Sequence, residues 1–233
     1  MGYCRESYEH RLGILTAGLN IFLLSMALVF TVDHVVAFLV VWELMTLASF
    51  VLVNVEWERT DNRRAAYLYL TMTQVGTAFL MSALLIMASA AGSFEFAVLS
   101  KAELSNTMVG AVFILAFIGL ATKAGLFPLH IWLPEAHPAA PSHVSALMSG
   151  VMIKSAVYGF SRVVLEFLPG LPAWCGGLVL LVAVVTCIIA ALLALMETDV
   201  KKMLAYSSIE NMGIIFLGLG AGMVFLAHNM SAA

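Results

Sequence analysis

The sequence predicts an all-α fold, a polytopic bundle of about seven transmembrane helices in a single domain over residues 1–233. Apolar residues make up 62% of the chain and charged residues only 11%, with a mean hydropathy of +1.01. A soluble domain carries roughly 25% charged residues, so this chain has too few polar groups to cover a surface in water. The apolar residues also cluster in runs close to the length of about 20 residues that a helix needs to cross a bilayer. The predicted spans are 12–31, 34–55, 65–91, 108–126, 144–167, 174–196 and 203–226.

A proline-rich segment at residues 125–143, GLFPLHIWLPEAHPAAPSH, separates the fourth and fifth predicted spans. Its prolines are Pro128, Pro134, Pro138 and Pro141. Each proline removes a backbone donor, so we expect no regular helix to cross the segment intact. Broken backbone at membrane depth is tolerated only where protein buries it or where it lines a water-filled cavity. The segment therefore predicts an interrupted helix inside the bundle.

The same segment carries three histidines, His130, His137 and His143. An imidazole changes its charge near neutral pH, so these side chains are candidates for a proton relay. For each histidine taken alone, a structural role is the simpler explanation. The three lack the regular spacing of a helical metal motif, and we predict no metal site.

Three ionisable residues, Glu43, Lys123 and Lys154, lie near the middle of predicted spans, and Glu210 lies near the start of the last span. Such a residue costs about 2.5–3.5 kcal/mol to insert at a helix centre, which makes each a functional candidate. A buried lysine readily loses its proton, whereas a nearby carboxylate strengthens its hold on that proton. We therefore interpret Glu43 as a modulator and the lysines as proton carriers. The alternatives are a static ion pair between Glu43 and a lysine, and an interfacial carboxylate at Glu210.

Basic residues are distributed unevenly between the two ends of the predicted helices. If the proline-rich segment completes the fourth crossing, one end holds seven of them and the other holds only Lys101, with Arg162 left unassigned near Glu166. The seven are Arg5, Arg11, Arg59, Arg63, Arg64, Lys201 and Lys202. Cytoplasmic loops carry the excess of lysine and arginine, so the N-terminus of this chain is predicted to be cytoplasmic.

Charge and cysteine content exclude two further classes of function. The net charge of −3 argues against a nucleic-acid partner. Cys4, Cys175 and Cys187 form no CxxC motif and have no metal-ligand spacing. An iron–sulfur site or a disulfide framework is therefore not predicted, and we expect no cofactor in this chain.

Three stretches resemble the antiporter-like subunits of respiratory complex I and their relatives. They are WELM around Glu43, KAGLFPLHIWLPEAHPAAPSHVSALMSGVMIK at residues 123–154, and TDVKKMLAYSSIENMGII at residues 198–215. The relatives include membrane subunits of nickel–iron hydrogenases such as hydrogenase-4 and formate hydrogenlyase, and large subunits of multisubunit cation/proton antiporters. The resemblance implies a glutamate on the family's fifth helix, a lysine beside a broken segment on the seventh, and a second lysine on the eighth. Glu43, Lys123 and Lys154 match those positions.

The stretch SSIENMG, which contains Glu210, and the N-terminal YCRESYEHRLG resemble the hydrogenase-linked branch of the family. That branch implies a proton-translocating subunit of an energy-converting oxidoreductase, in which electron transfer elsewhere drives a buried Glu–Lys–Lys relay. The implied partners are other membrane and peripheral subunits, the lipid bilayer, and protons or Na⁺. Nickel–iron and iron–sulfur centres, or flavin, are expected in the partner subunits. The implied location is a prokaryotic cytoplasmic membrane.

The resemblance covers only part of a family member. Members contain two inverted five-helix repeats, and this chain resembles the stretch from the fourth helix to the tenth. We therefore expect one repeat and part of a second, without the ionisable residue that the family carries on its twelfth helix. A fragment of a longer product, or a neighbouring chain that supplies the rest, would account for this.

Three other functions stay open at this point. A sodium/proton antiporter subunit without redox chemistry would share every charged residue named above. A subunit of a complex I-type quinone reductase would share them too. A purely structural anchor for a peripheral enzyme would use the ion pair only to hold helices together.

Overall fold

The computed structural model describes residues 9–102, 104–168 and 170–231, and this part of the chain is almost entirely helical. The eight main helices are α1 Leu12–Val29, α2 Val35–Val53, α3 Thr60–Ala91, α4 Asn106–Ala124, α5 Trp132–Ala139, α6 Ser142–Glu166, α7 Ala173–Met196 and α8 Val200–Ser231. All of them except α5 are long and apolar enough to cross a membrane. The predicted all-α fold and the seven predicted spans are therefore confirmed, and the chain is a multi-pass membrane protein.

Helix α6 departs from regular α-helical winding at two places. Residues Met148–Met152 and Ser161–Glu166 are wound as π-helix, on either side of the regular stretch Ile153–Phe160. A π turn is wider than an α turn and leaves backbone carbonyls displaced from their usual partners. The first of these turns lies just before Lys154, one of the predicted proton carriers.

Polar residues decide where α3 and α4 begin. Helix α3 begins at Thr60, five residues before the predicted span, because its first turns carry the exposed Arg63 and Arg64 and extend beyond the apolar run. Helix α4 begins after Ser105, whose hydroxyl accepts a hydrogen bond from the Met108 amide at 3.4 Å. Such a cap satisfies one of the backbone donors left unpaired at a helix start.

Close packing of α3 on α4 depends on two glycines. A Cβ atom built on Gly119 would lie 2.6 Å from the carbonyl oxygen of Gly76 and 2.8 Å from the amide nitrogen of Leu80. Small residues at such crossings let two helix backbones touch, which is the main source of helix association in lipid. This contact holds the end of α4, and hence Lys123, against α3.

The proline-rich segment forms a turn, a short helix and a second turn. Helix α4 ends at Gly125, which has a φ of +74° that favours glycine. Residues 126–131 form the first turn, and the Phe127–Pro128 peptide bond is cis. Helix α5 then continues the fourth crossing until Ala139.

The prolines break the helix at the two turns but not throughout the segment. Pro128 lies in the first turn and Pro141 directly precedes α6. The expectation that no regular helix crosses the segment intact is confirmed, although Pro134 and Pro138 lie inside the short helix α5. Pro134 is tolerated because it falls in the first turn, where amides have no partner within the helix. Pro138 lies in the last turn, where little helix follows it.

The backbone groups freed by the break find partners within the bundle. The Phe127 amide donates to the hydroxyl of Thr186 on α7 at 3.0 Å. The Thr122 carbonyl accepts from the indole of Trp132 at 2.9 Å. Because an unpaired backbone group is costly in a membrane, these two bonds stabilise the interruption.

Arg162, which the sequence left unassigned, lies at the same end of the bundle as Lys101. Its guanidinium pairs with Asp33 at 3.0 Å and with Glu166 at 3.3 Å. Asp33 belongs to the α1–α2 loop, whose neighbour His34 bridges to Glu95 in the loop that leads to Lys101. Arg5 lies outside the described residues. The other six of the seven basic residues therefore stand against Lys101 and Arg162, and the predicted bias between the ends is kept.

We predict that Gly119→Ala destabilises the protein, because the added methyl would collide with backbone atoms of α3 that cannot move aside. Overpacking of this kind costs about 1–3 kcal/mol, which would lower the thermal unfolding temperature measured in detergent. Gly177→Ala is the matched control, because a Cβ atom there meets nothing within 4 Å. An unfolding temperature for Gly119→Ala equal to that of the wild type would contradict the helix packing described above.

Candidate functional site

Lys123 lies in the last turn of α4 and is one of the few charged residues inside the bundle, with only 2% of its surface exposed. Its ammonium donates to the hydroxyl of Thr46 at 2.8 Å and to that of Tyr69 at 3.5 Å. It also lies 5.7 Å from the ring centres of Trp42 and Tyr69. Hydroxyl oxygens and aromatic faces therefore provide the immediate surroundings of this charge.

The helix break places Lys123 where a cation is favoured. The C-terminal end of a helix carries partial negative charge from its free carbonyl groups. Because α4 stops at Gly125 in the interior of the bundle, that negative end faces protein. The sequence predicted a lysine within a span and beside a broken helix, and Lys123 lies at such a position in the structure.

Glu43 lies near the middle of α2, one helical turn before Thr46. One of its carboxylate oxygens accepts a hydrogen bond from the side-chain amide of Gln74 on α3. The other oxygen, Oε1, is buried and has no hydrogen-bond partner in the described part of the chain. A buried carboxylate oxygen without a hydrogen-bond partner costs free energy. This carboxylate is therefore poorly suited to a purely structural role.

Glu43 and Lys123 do not form a direct ion pair. The basic residues that pair with carboxylates in the described part are Arg11, Arg59, Arg162 and Lys202. The alternative of a contact ion pair between Glu43 and a lysine that holds helices together therefore has no support in the geometry. Residues three apart on a helix lie on one face, so Glu43 lies on the face of α2 that carries Thr46, the hydroxyl partner of Lys123.

Lys154 lies near the middle of α6 and is only partly buried. Its ammonium donates to the carbonyl oxygen of Ser149 at 2.7 Å, in the π turn Met148–Met152. The hydroxyl of Ser149 in turn lies 2.7 Å from that of Ser208 on α8. The widened turn thus supplies a carbonyl to the second lysine and joins α6 to α8.

A cavity of about 380 Å³ lies between α5, α6 and α8, and several serine side chains lie in its wall together with His137 and Lys201. His137 contributes to its wall and bonds through Nδ1 to the hydroxyl of Ser145 at 3.0 Å. Its Nε2 is buried and has no hydrogen-bond partner among the described residues. Lys201 stands at the same cavity and donates to the carbonyl oxygens of Pro138 and Ala140, at 3.3 and 3.1 Å. Ser149 also lines this space, so the cavity leads towards Lys154.

The remaining predicted residues lie outside these contacts. His130 lies in the first turn with its ring tilted against that of Phe127, 5.5 Å between ring centres. Its buried Nδ1 has no partner in the described part. His143 lies in the first turn of α6 and is partly exposed. Glu210 is partly exposed on α8, where its carbonyl oxygen lies 3.7 Å from the Cys187 thiol. Its carboxylate forms no hydrogen bond or ion pair with Lys123, Lys154 or His137.

Several residues of the site were not identified from the sequence. They are Trp42, Thr46, Ser49, Tyr69, Gln74, Trp132, Ser149 and Ser208. Gln74 was detectable, because a carboxamide near the middle of a span is expensive in lipid for the same reason as a charge. Hydroxyl and aromatic residues are ordinary in membrane helices, so a single sequence contains no signal that separates the others from packing residues.

The chain is similar to several known membrane proteins. It is 43% identical over 229 residues to "Hydrogenase-4 component B" of Escherichia coli (strain K12), a match that covers 97% of this chain and 34% of that protein. It is 34% identical over 211 residues to "NADH-ubiquinone oxidoreductase chain 4" of Mycosarcoma maydis, covering 87% of this chain and 44% of that one. The chain thus spans between a third and a half of the length of these relatives.

The helix arrangement is also similar to a solved structure. The match is to a chain of the membrane-bound sulfane sulfur reductase, described as an archaeal respiratory membrane complex, with a TM-score of 0.79 and 26% identity. It covers 86% of this chain and 42% of that one. The family model described as "NADH:quinone oxidoreductase/Mrp antiporter, TM" matches residues 32–231. This chain therefore belongs to the NADH:quinone oxidoreductase/Mrp antiporter transmembrane family.

Proposed function

We propose that this chain forms the proton-carrying part of a membrane subunit in a proton-pumping oxidoreductase complex of the hydrogenase-4 type. The observation that carries the proposal is Lys123, a lysine buried at a helix break without a contacting carboxylate, with Glu43 one turn from its nearest hydroxyl. A lysine that only held helices together would be expected to contact a carboxylate. A proton carrier needs instead a site whose preference for the charged form can be altered.

In this proposal, protons reach Lys154 through the cavity beside His137, along its serine, histidine and lysine side chains. Water in that cavity would exchange protons with the imidazole and with the ammonium of Lys154, which already bonds to the cavity-lining Ser149. The proton then passes between Lys154 and Lys123. A change in the charge or position of Glu43 alters the attraction on the Lys123 ammonium, and weaker attraction favours release of its proton.

The energy for this change would come from electron transfer in partner subunits. We propose that those subunits hold nickel–iron and iron–sulfur centres, because the identity is higher to Hydrogenase-4 component B, at 43%, than to NADH-ubiquinone oxidoreductase chain 4, at 34%. A complex that carries flavin without nickel would instead be a quinone reductase. Other membrane and peripheral subunits are the proposed partners of the chain.

We predict that the native complex purified with this chain contains nickel and iron. Metal analysis of the intact complex, together with a flavin assay, checks this directly. Flavin without nickel would contradict the hydrogenase assignment and favour the quinone reductase. Neither nickel nor flavin, combined with sodium-dependent proton movement, would favour the antiporter.

We predict that Lys123→Ala and Glu43→Gln each abolish proton translocation in the complete complex while electron transfer continues. The first change removes the proton carrier, and the second removes the charge that modulates it. Proton movement is measured by a pH-sensitive dye in vesicles during turnover. Lys101→Ala is the matched control, because Lys101 is exposed outside the spans. Pumping by Lys123→Ala at the wild-type rate would contradict the proposed function.

We propose that the protein resides in a prokaryotic cytoplasmic membrane with the Arg59 end of the bundle facing the cytoplasm. A cysteine introduced at Asp61 should then react with a membrane-impermeant maleimide only in inverted vesicles, and one introduced at Ser100 only in intact cells with the outer envelope opened. Both parent residues are water-accessible loop or helix-end positions outside the apolar runs. The reverse labelling pattern would contradict the orientation.

A further inference from the structure

We propose that Thr46, Ser49 and Tyr69 are positioning residues. Their hydroxyl groups hold Lys123 and determine how tightly it binds its proton. The inference rests on the proposed role of Lys123 as a proton carrier, and it adds the residues that set its behaviour. Lys123, Thr46, Ser49 and Tyr69 are all buried, with between 0% and 2% of their surface exposed. These residues are therefore shielded from bulk solvent in the folded protein.

The direction of the hydrogen bonds at Tyr69 follows from the carbonyl groups at the far end of the network. The Ser49 hydroxyl lies 2.8 Å from the Met45 carbonyl oxygen and 2.9 Å from that of Thr46, and it donates because a carbonyl can only accept. Its oxygen then accepts from the Tyr69 hydroxyl, 2.6 Å away. The Met152 sulfur, 3.6 Å away, is a second acceptor for the Tyr69 hydrogen. With its hydrogen directed at either of these acceptors, Tyr69 presents its lone pairs to the Lys123 ammonium.

Thr46 is arranged in the same way. Its hydroxyl donates to the Trp42 carbonyl oxygen at 3.1 Å, one turn earlier on α2. The lone pairs of Thr46 are therefore free to accept from the Lys123 ammonium at 2.8 Å. Both hydroxyls beside Lys123 thus have their hydrogens bonded elsewhere and offer acceptors to the lysine.

This arrangement distinguishes the two protonation states of lysine. An ammonium has three donors and no acceptor, so it fits a site that offers only acceptors. A neutral amine carries a lone pair that needs a donor, and neither hydroxyl supplies one. The aromatic faces of Trp42 and Tyr69 add attraction for a cation but not for a neutral amine. The network therefore stabilises the protonated form without a carboxylate in contact.

Other titratable groups act on Lys123 only from a distance. The elements packed around it carry Glu43 on α2, His137 on α5, Lys154 on α6 and Glu210 on α8. None of these four side chains forms a hydrogen bond or ion pair with Lys123 in the described part of the chain. The hydroxyl network therefore sets the resting proton affinity, and Glu43 changes it through space.

The test uses Tyr69→Phe and Thr46→Val in the complete complex, since each removes one hydroxyl and keeps the shape of the side chain. Loss of a hydrogen bond to a charged group lowers the proton affinity about tenfold or more. Because a weaker hold on the proton requires a lower pH for the same protonation, the pH profile of proton translocation should shift down by about one unit. Thr46→Ser keeps the hydroxyl, so this variant should show the wild-type pH profile.

Two matched controls separate this effect from packing. Thr73→Val removes a buried hydroxyl that bonds only to the carbonyl oxygens of Tyr69 and Leu70 on its own helix. Tyr67→Phe removes a hydroxyl from a tyrosine that is 54% exposed. Neither control should move the pH profile, and a shift in Thr73→Val equal to that in Thr46→Val would overturn the proposal.

The outcomes distinguish this inference from the function on which it rests. If Lys123→Ala abolishes pumping while Tyr69→Phe and Thr46→Val keep the wild-type profile, the positioning role is wrong and the proposed function stands. If the complex with Lys123→Ala pumps protons at the wild-type rate, the proposed function is wrong, and the inference that rests on it is wrong as well. Should both hydroxyl variants fail to assemble, the double change Ser49→Ala with Met152→Leu removes both acceptors of the Tyr69 hydrogen, and an unshifted profile in that variant overturns the proposal.

Discussion

The structure depends on keeping a lysine ammonium hydrogen-bonded in the interior of a membrane bundle. A charge without partners at this depth would be expelled or neutralised. The bundle provides the hydroxyls of Thr46 and Tyr69, two aromatic faces, and the negative end of α4. Each of these requires another feature: α4 has to end at Gly125, α3 has to approach α4 closely at Gly76, and α2 has to present Thr46 to the same space.

Ending a helix inside a membrane creates its own requirement for hydrogen bonds. The freed groups cannot turn to water, so the protein supplies Thr186 for the Phe127 amide and Trp132 for the Thr122 carbonyl. Trp132 also packs against the ring of Tyr69, with 4.9 Å between ring centres. The residue that satisfies the broken helix is thus in contact with a residue that holds Lys123, which links the interruption to the site.

The two lysines of the proposed relay differ in their surroundings. Lys123 is enclosed and held by side chains, whereas Lys154 is partly exposed and bonds to a backbone carbonyl beside the cavity at His137. An enclosed group responds chiefly to nearby charges, while a group beside a cavity exchanges protons with water more readily. This difference is what a relay requires if one site exchanges with the solvent and the other responds to Glu43.

The sequence by itself determined the fold class, the number of spans, the interruption in the fourth crossing and the ionisable residues at membrane depth. These follow from composition and run length, since lipid admits only helices of sufficient length here and penalises every charge. Only the tertiary structure decided that Glu43 and Lys123 do not touch, that Tyr69 and Thr46 bond to Lys123, and that Pro134 and Pro138 fit within α5. Those outcomes depend on which helix faces meet, and contacts between residues as distant in the chain as Thr46 and Lys123 leave no periodic signal in a single sequence.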